Sequence, residues 1–97
     1  MTMSKVIFIL TFFWFDRVVS GKKNAEYRRQ NKFWEIKLSG LKAGDKVLLR
    51  KGYSHTYLEK TVAGVELVRG SALPELERNF FKAGNDEPFY KVNFYEY

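Results

Sequence analysis

Eight consecutive residues, Gly21, Lys22, Lys23, Asn24, Ala25, Glu26, Tyr27 and Arg28, concentrate the reactive side-chain types of this chain. A lysine and an arginine on either side of a carboxylate can meet an anionic ligand. The same carboxylate, its proton affinity tuned by the lysine and by burial, can serve as general base on water. If residues 25–28 are extended, Ala25 and Tyr27 face one way, and Glu26 and Arg28 the other, about 7 Å apart along the strand. Lys23, Glu26 and Arg28 are therefore the primary candidates for a binding cleft. If the chain is an enzyme, Lys23 and Glu26 are the candidates for catalysis.

Neighbouring residues extend the list. Lys22 and Arg29 add charge for phosphate contact. Residues 29–37 read as a basic connection carrying Phe33 and Trp34, either a core plug beneath a loop or a platform on which a base stacks. Tyr53 and Tyr57, in a polar, glycine-containing loop at 51–57, are further stacking candidates. His55 is the only histidine and there is no cysteine, so no metal site or disulfide framework is expected, and no cofactor motif is present.

The elements that must position these residues can be read in order. Residues 5–10 are β-branched and aromatic and suggest a central strand covered on both sides. Thr11 is placed to cap a helix over 12–20, and Gly21 to end it with positive φ. Lys5 followed by the apolar run at 6–15 has the outline of a signal peptide. The run stops at Asp16 and Arg17, short of a membrane span, and lacks a small-residue cleavage site, so a core strand running into a helix is expected, with no membrane partner.

Residues 41–45 predict a turn into a strand over 46–50, and a long strand follows over 59–69, with Gly64 marking a bulge or barrel corner. A helix is expected over 71–83, capped by Ser71, with Pro74 in its first turn, an apolar stripe of Leu73, Leu76 and Phe80, and Gly84 and Asn85 at its end. Pro88 then opens a last strand over 89–95. Ninety-seven residues suffice for one domain, and nine Phe, six Tyr and two Trp can fill its core. The expected class is α+β, a small curled sheet or β-barrel with two short helices.

Charge is unevenly spread along the chain. Residues 1–60 hold 13 Lys and Arg against 5 Asp and Glu, whereas residues 61–97 hold 4 against 6. This local basic excess favours a phosphate-bearing partner. The absence of cysteine suits a cytoplasmic location.

The pattern Gly21-x-Lys23-x-x-Glu26-x-Arg28 resembles the signature of the ASCH domains, the activating-signal-cointegrator homology family. The resemblance covers nearly the whole chain, since the strand and helix before the signature, the Gly44-Asp45 turn and the closing aromatic strand occur in the same order. It implies a single PUA-like β-barrel domain with a cleft beside the signature and a role in RNA metabolism. Lys23, Glu26 and Arg28 would line a basic cleft for RNA or a modified nucleoside or nucleotide. The alternative implied function is a hydrolase, either an amidohydrolase acting on N4-acetylcytidine-like nucleosides or a ribonuclease. Glu26 stands where the amidohydrolase branch has a nucleophilic threonine, so any hydrolysis here would use Glu26 as a base on water. A later glutamate would assist. Glu66, Glu75 and Glu77 are candidates, the last two looking more like residues placed for the helix dipole.

Overall fold

The structure, a computed structural model, describes residues 6–95. Lys5, read above as the start of the first strand, lies outside them. Five strands and three helices follow one another as β1 (Val6–Leu10), α1 (Phe12–Val19), β2 (Ala25–Arg29), α2 (Lys32–Leu38), β3 (Lys46–Lys51), β4 (Tyr57–Arg69), α3 (Glu75–Phe81) and β5 (Pro88–Phe94). The strands form one mixed sheet in the order β1-β3-β4-β5-β2. Only β1 and β3 run parallel; the other neighbours are antiparallel. The fold is α+β, a half-barrel whose two unpaired edges are β1 and β2.

The long strand β4 joins the two halves of the sheet. Its first residues pair with β3 and its last with β5, and the register shifts between Val62 and Gly64. A bulge at Gly64 allows the strand to bend from one pairing to the other, as its mid-strand glycine predicts. Inside the curve lies a core of Phe8, Leu10, Trp14, Phe15, Val18, Val47, Leu49, Val62, Val92 and Phe94. Ala25, Tyr27, Leu73 and Phe89 form a second, smaller cluster under α3.

Three expectations need correction. The strand β1 is an edge, and its side chains alternate: Phe8 and Leu10 are buried, whereas Ile7 and Ile9 are each 45% exposed. Its all-apolar composition hid that alternation, because periodicity is invisible when both faces are apolar. Among the described residues there are three α-helices where two were expected, since residues 32–38 form α2. Asn31 caps it, accepting from the Trp34 backbone N–H at 3.0 Å. The charges of this segment drew attention away from its capping residue.

The third correction concerns α3. Pro74 has no N–H to donate, and it disfavours helical geometry in the residue before it, so Leu73 stays extended at φ −70° and ψ 145°. Ser71 therefore sits in a separate short 3₁₀ turn, Gly70–Ala72, and the helix begins at Glu75. It ends through Lys82 in the left-handed region, φ 52°, before the predicted Gly84 is reached. Its inward side carries Glu77 and Phe81, with Leu73 buried just before the helix, while Leu76 and Phe80 are 46% and 55% exposed. A carboxylate on the buried stripe is what the sequence pattern concealed.

Candidate functional site

The gap between the two sheet edges is a cavity of about 250 Å³. Ile9, Leu10 and Thr11 line it from the end of β1, and Glu26, Tyr27 and Arg28 from β2. Trp14 of α1 and Glu77, Phe80 and Phe81 of α3 contribute the remaining walls, together with Lys23 from the turn after α1.

Local structure fixes the turn. Thr11 caps α1, its Oγ1 accepting from Trp14 N, and Gly21 adopts φ 82° where the helix ends. The backbone N–H groups of Lys22 and Lys23 both donate to the Arg17 carbonyl, at 2.9 and 3.1 Å. These bonds turn the chain back on the helix and direct Lys23 inward. Its Nζ lies 4.8 Å from the Trp14 ring centroid and 5.2 Å from that of Tyr27, a cation held against two aromatic faces.

Four charges form a chain across the cavity. Lys23 Nζ donates to Glu77 Oε2 at 2.9 Å and lies 3.5 Å from Glu26 Oε1. The Arg28 guanidinium pairs with the other oxygen of Glu26 and donates to the Tyr27 carbonyl at 2.7 Å. Lys23, Glu26 and Glu77 are all buried, Glu26 to 2% exposure. Burying ions costs several kcal/mol each, which pairing repays only in part, so a sequence that places three of them beside a cavity has given up stability there. Clusters of this kind concentrate at sites that bind or react.

Tyr27 completes the electrostatic picture. Burial, and then the carboxylates of Glu77, Glu66 and Glu26, push its phenol up to about 12. It is a neutral hydrogen-bonding wall at any ordinary pH.

The residues singled out from sequence separate into several places. Lys23, Glu26 and Arg28 line one cavity. Glu77, set aside as a helix-dipole residue, is the glutamate that reaches Lys23, whereas Glu75 is exposed and Glu66 accepts from Asn93 Nδ2 at 2.9 Å. Arg29 points to the other side of β2, paired with Glu87 and the Phe81 carbonyl. Trp34 is half-buried against the core, stacked on Phe8 at 5.6 Å with Arg28 over it at 5.0 Å, whereas its neighbour Phe33 is 59% exposed. Trp34 supports Arg28 from below without lining the cavity. Tyr53 and Tyr57 flank Arg50, at 5.7 Å each, and line neither this cavity nor the one that holds Lys22.

The cleft is also not the basic surface expected from net charge. Two cations face two carboxylates, and its walls are largely aromatic and aliphatic. No group of three or more His, Asp or Glu among the described residues is arranged to hold a metal ion, and no helix among them is long and apolar enough to cross a membrane.

Fold and site together define a small α+β half-barrel with a polar-floored, aromatic-walled cavity between its open edges. Compared with models of known protein families, with characterised proteins and with solved structures, the chain has no significant match.

Proposed function

We propose that this domain binds a nucleoside, free or as an unstacked residue of RNA, in the cavity between β1 and β2. The observation that carries the reading is the buried Lys23 bridging Glu26 and Glu77 beside apolar ring-bearing walls. Ligand pockets combine that composition, mostly apolar surface with a few convergent polar groups. A volume of about 250 Å³ is at the small end for a ligand pocket and suits one ring system better than a folded polymer. Single bases are recognised by stacking on aromatic faces and by hydrogen bonds to their polar edges. Trp14, Tyr27 and Phe80 offer the faces, and Lys23, Arg28 and the two carboxylates offer donors and acceptors.

The ASCH-like reading of the sequence, with its PUA-like barrel, belongs to this proposal and is supported by the order of elements around residues 21–28. It also brings in a hydrolytic alternative. Glu26 and Glu77 lie on either side of one lysine at a cavity, an arrangement suited to activating water against an amide or phosphodiester.

Calorimetric titration with cytidine, uridine, adenosine, guanosine and N4-acetylcytidine tests binding, with Lys23→Met and Glu77→Gln as controls. Saturable binding of at least one of them, weakened ten-fold or more by either substitution, is expected (about 1.4 kcal/mol). Heat traces indistinguishable from dilution across the series would overturn the proposal. Incubation with N4-acetylcytidine and labelled RNA then separates binding from hydrolysis. Product formation that survives both Lys23→Met and Glu26→Gln would remove these residues from any catalytic role.

A further inference from the structure

A second cavity of about 240 Å³ adjoins the first, sharing Lys23, Tyr27 and Glu77 with it. Successive residues of one segment line the two in turn: Pro74 and Glu77 the second, then Glu77, Phe80 and Phe81 the first. Seven helical residues span about 10 Å, so both cavities lie within reach of one ligand. Their chemistry differs. The second is lined by Arg17, Lys22, Lys23 and Lys91 with Glu77 as its one carboxylate.

Three of those cations have no acidic partner among the described residues. Lys23 is committed to Glu77 and Glu26, but no carboxylate among the described residues forms an ion pair with Arg17, Lys22 or Lys91. Arg17 Nε is fully shielded from solvent and has no hydrogen-bond partner among the described residues, an unusual state for a guanidinium N–H. Its guanidinium rests over the Phe13 ring at 5.7 Å. Lys91 stands opposite Tyr27 in the β2–β5 register, its Nζ 6.0 Å from that ring. Its β4 register partner is Glu66, which accepts from Asn93. The Asn24 and Asn93 side chains are spent on the Phe94 carbonyl and on Glu66.

Resting on the nucleoside reading of the first cavity, we infer that Arg17, Lys22 and Lys91 form a subsite for a phosphate group carried by that same ligand. The preferred ligand is then a nucleotide, with its ring against Trp14 and Phe80 and its phosphate beyond the Lys23–Glu77 pair. The Arg17 guanidinium and two lysines without a carboxylate partner among the described residues supply charge-assisted donors to phosphate oxygens. The two cations of the first cavity are already balanced by Glu26 and Glu77, so it offers a phosphate no net positive charge.

Titrating the whole chain with the four common nucleosides, their 5′-monophosphates and inorganic phosphate separates the two proposals. At low salt a monophosphate should bind about ten-fold or more tightly than its nucleoside, and the advantage should shrink as salt is raised. Arg17→Ala and Lys91→Ala should each erase most of that advantage while leaving nucleoside affinity unchanged, with circular dichroism confirming the fold. Nucleosides and monophosphates that bind equally would overturn the phosphate subsite and leave the ring cavity standing. Phosphate and monophosphates that bind alike, with nucleosides inert, would keep the oxyanion site and overturn the ring cavity. No binding by any probe would overturn both.

Discussion

Lys23 Nζ and Glu77 Oε2 lie 2.9 Å apart although 54 residues separate them in the chain. This contact joins the turn after α1 to helix α3 across the open side of the half-barrel, and both side chains are buried. It therefore closes one wall of the cavity and holds a charge pair at the site.

Removing one partner should be costly. Lys23→Met leaves the Glu26 and Glu77 carboxylates buried with one cation fewer, and should lower unfolding free energy by about 3–5 kcal/mol. Glu77→Gln should cost less, because an amide can still accept from Lys23. Denaturant unfolding of the two single variants and the double variant should give a combined loss smaller than the sum, the mark of direct coupling.

Tyr27 gives a signature in alkali. Its folded-state value is raised from 10.0 to about 12 by burial first, then by Glu77, Glu66 and Glu26. A raised value adds stability that is full below pH 10 and is lost as pH rises toward 12. Two units correspond to at most about 2.7 kcal/mol. The difference in unfolding free energy between the native chain and Tyr27→Phe should therefore fall between pH 10 and 12, and be flat below pH 9.

Acid probes a different pair. The Arg29 guanidinium, and then the Gly84 backbone N–H, hold the Glu87 carboxyl below its usual value of 4.5. A lowered value gives stability that is present above pH 4.5 and lost as pH falls through the folded-state value. Glu87→Gln should thus be less acid-sensitive than the native chain below pH 4.5, a difference visible in parallel acid unfolding curves.

Gly70 should not accept a side chain. A Cβ at that position would lie 2.0 Å from the Gly84 carbonyl oxygen, backbone against backbone. Gly70 N also donates to the Glu87 carbonyl at 2.7 Å, tying the turn before α3 to the start of β5. Gly70→Ala should destabilise by about 1–3 kcal/mol. Gly84→Ala, whose Cβ would meet only Glu87 Cβ at 3.8 Å, should be far milder in the same thermal melt.

Several signals that are local in sequence mark real features of the structure. Thr11 and Gly21 mark both ends of α1, Gly64 marks the bulge in β4, and Lys23, Glu26 and Arg28 do share one cavity. What escaped was set by tertiary contact. Glu77 looks like a first-turn carboxylate until α3 is laid over β2, where it meets a lysine 54 residues away. Arg17 and Lys91, from α1 and β5, come together only because the sheet order places β5 beside β2. Net charge misled as well, since Glu26 pairs with Arg28 within the signature and Glu77 reaches Lys23 from α3, which leaves the first cavity balanced.

The central claim is that the cavity between β1 and β2 takes a nucleoside ring. Its most direct test is amide and side-chain NMR of the isotope-labelled chain during titration with the nucleosides named above and a short single-stranded RNA. Saturable shift changes are predicted at the Trp14 indole, Lys23, Tyr27, Arg28 and Phe80, and their loss in Lys23→Met. Unchanged spectra at millimolar ligand, or changes confined to Tyr53, Tyr57 and the 51–57 loop, would contradict it.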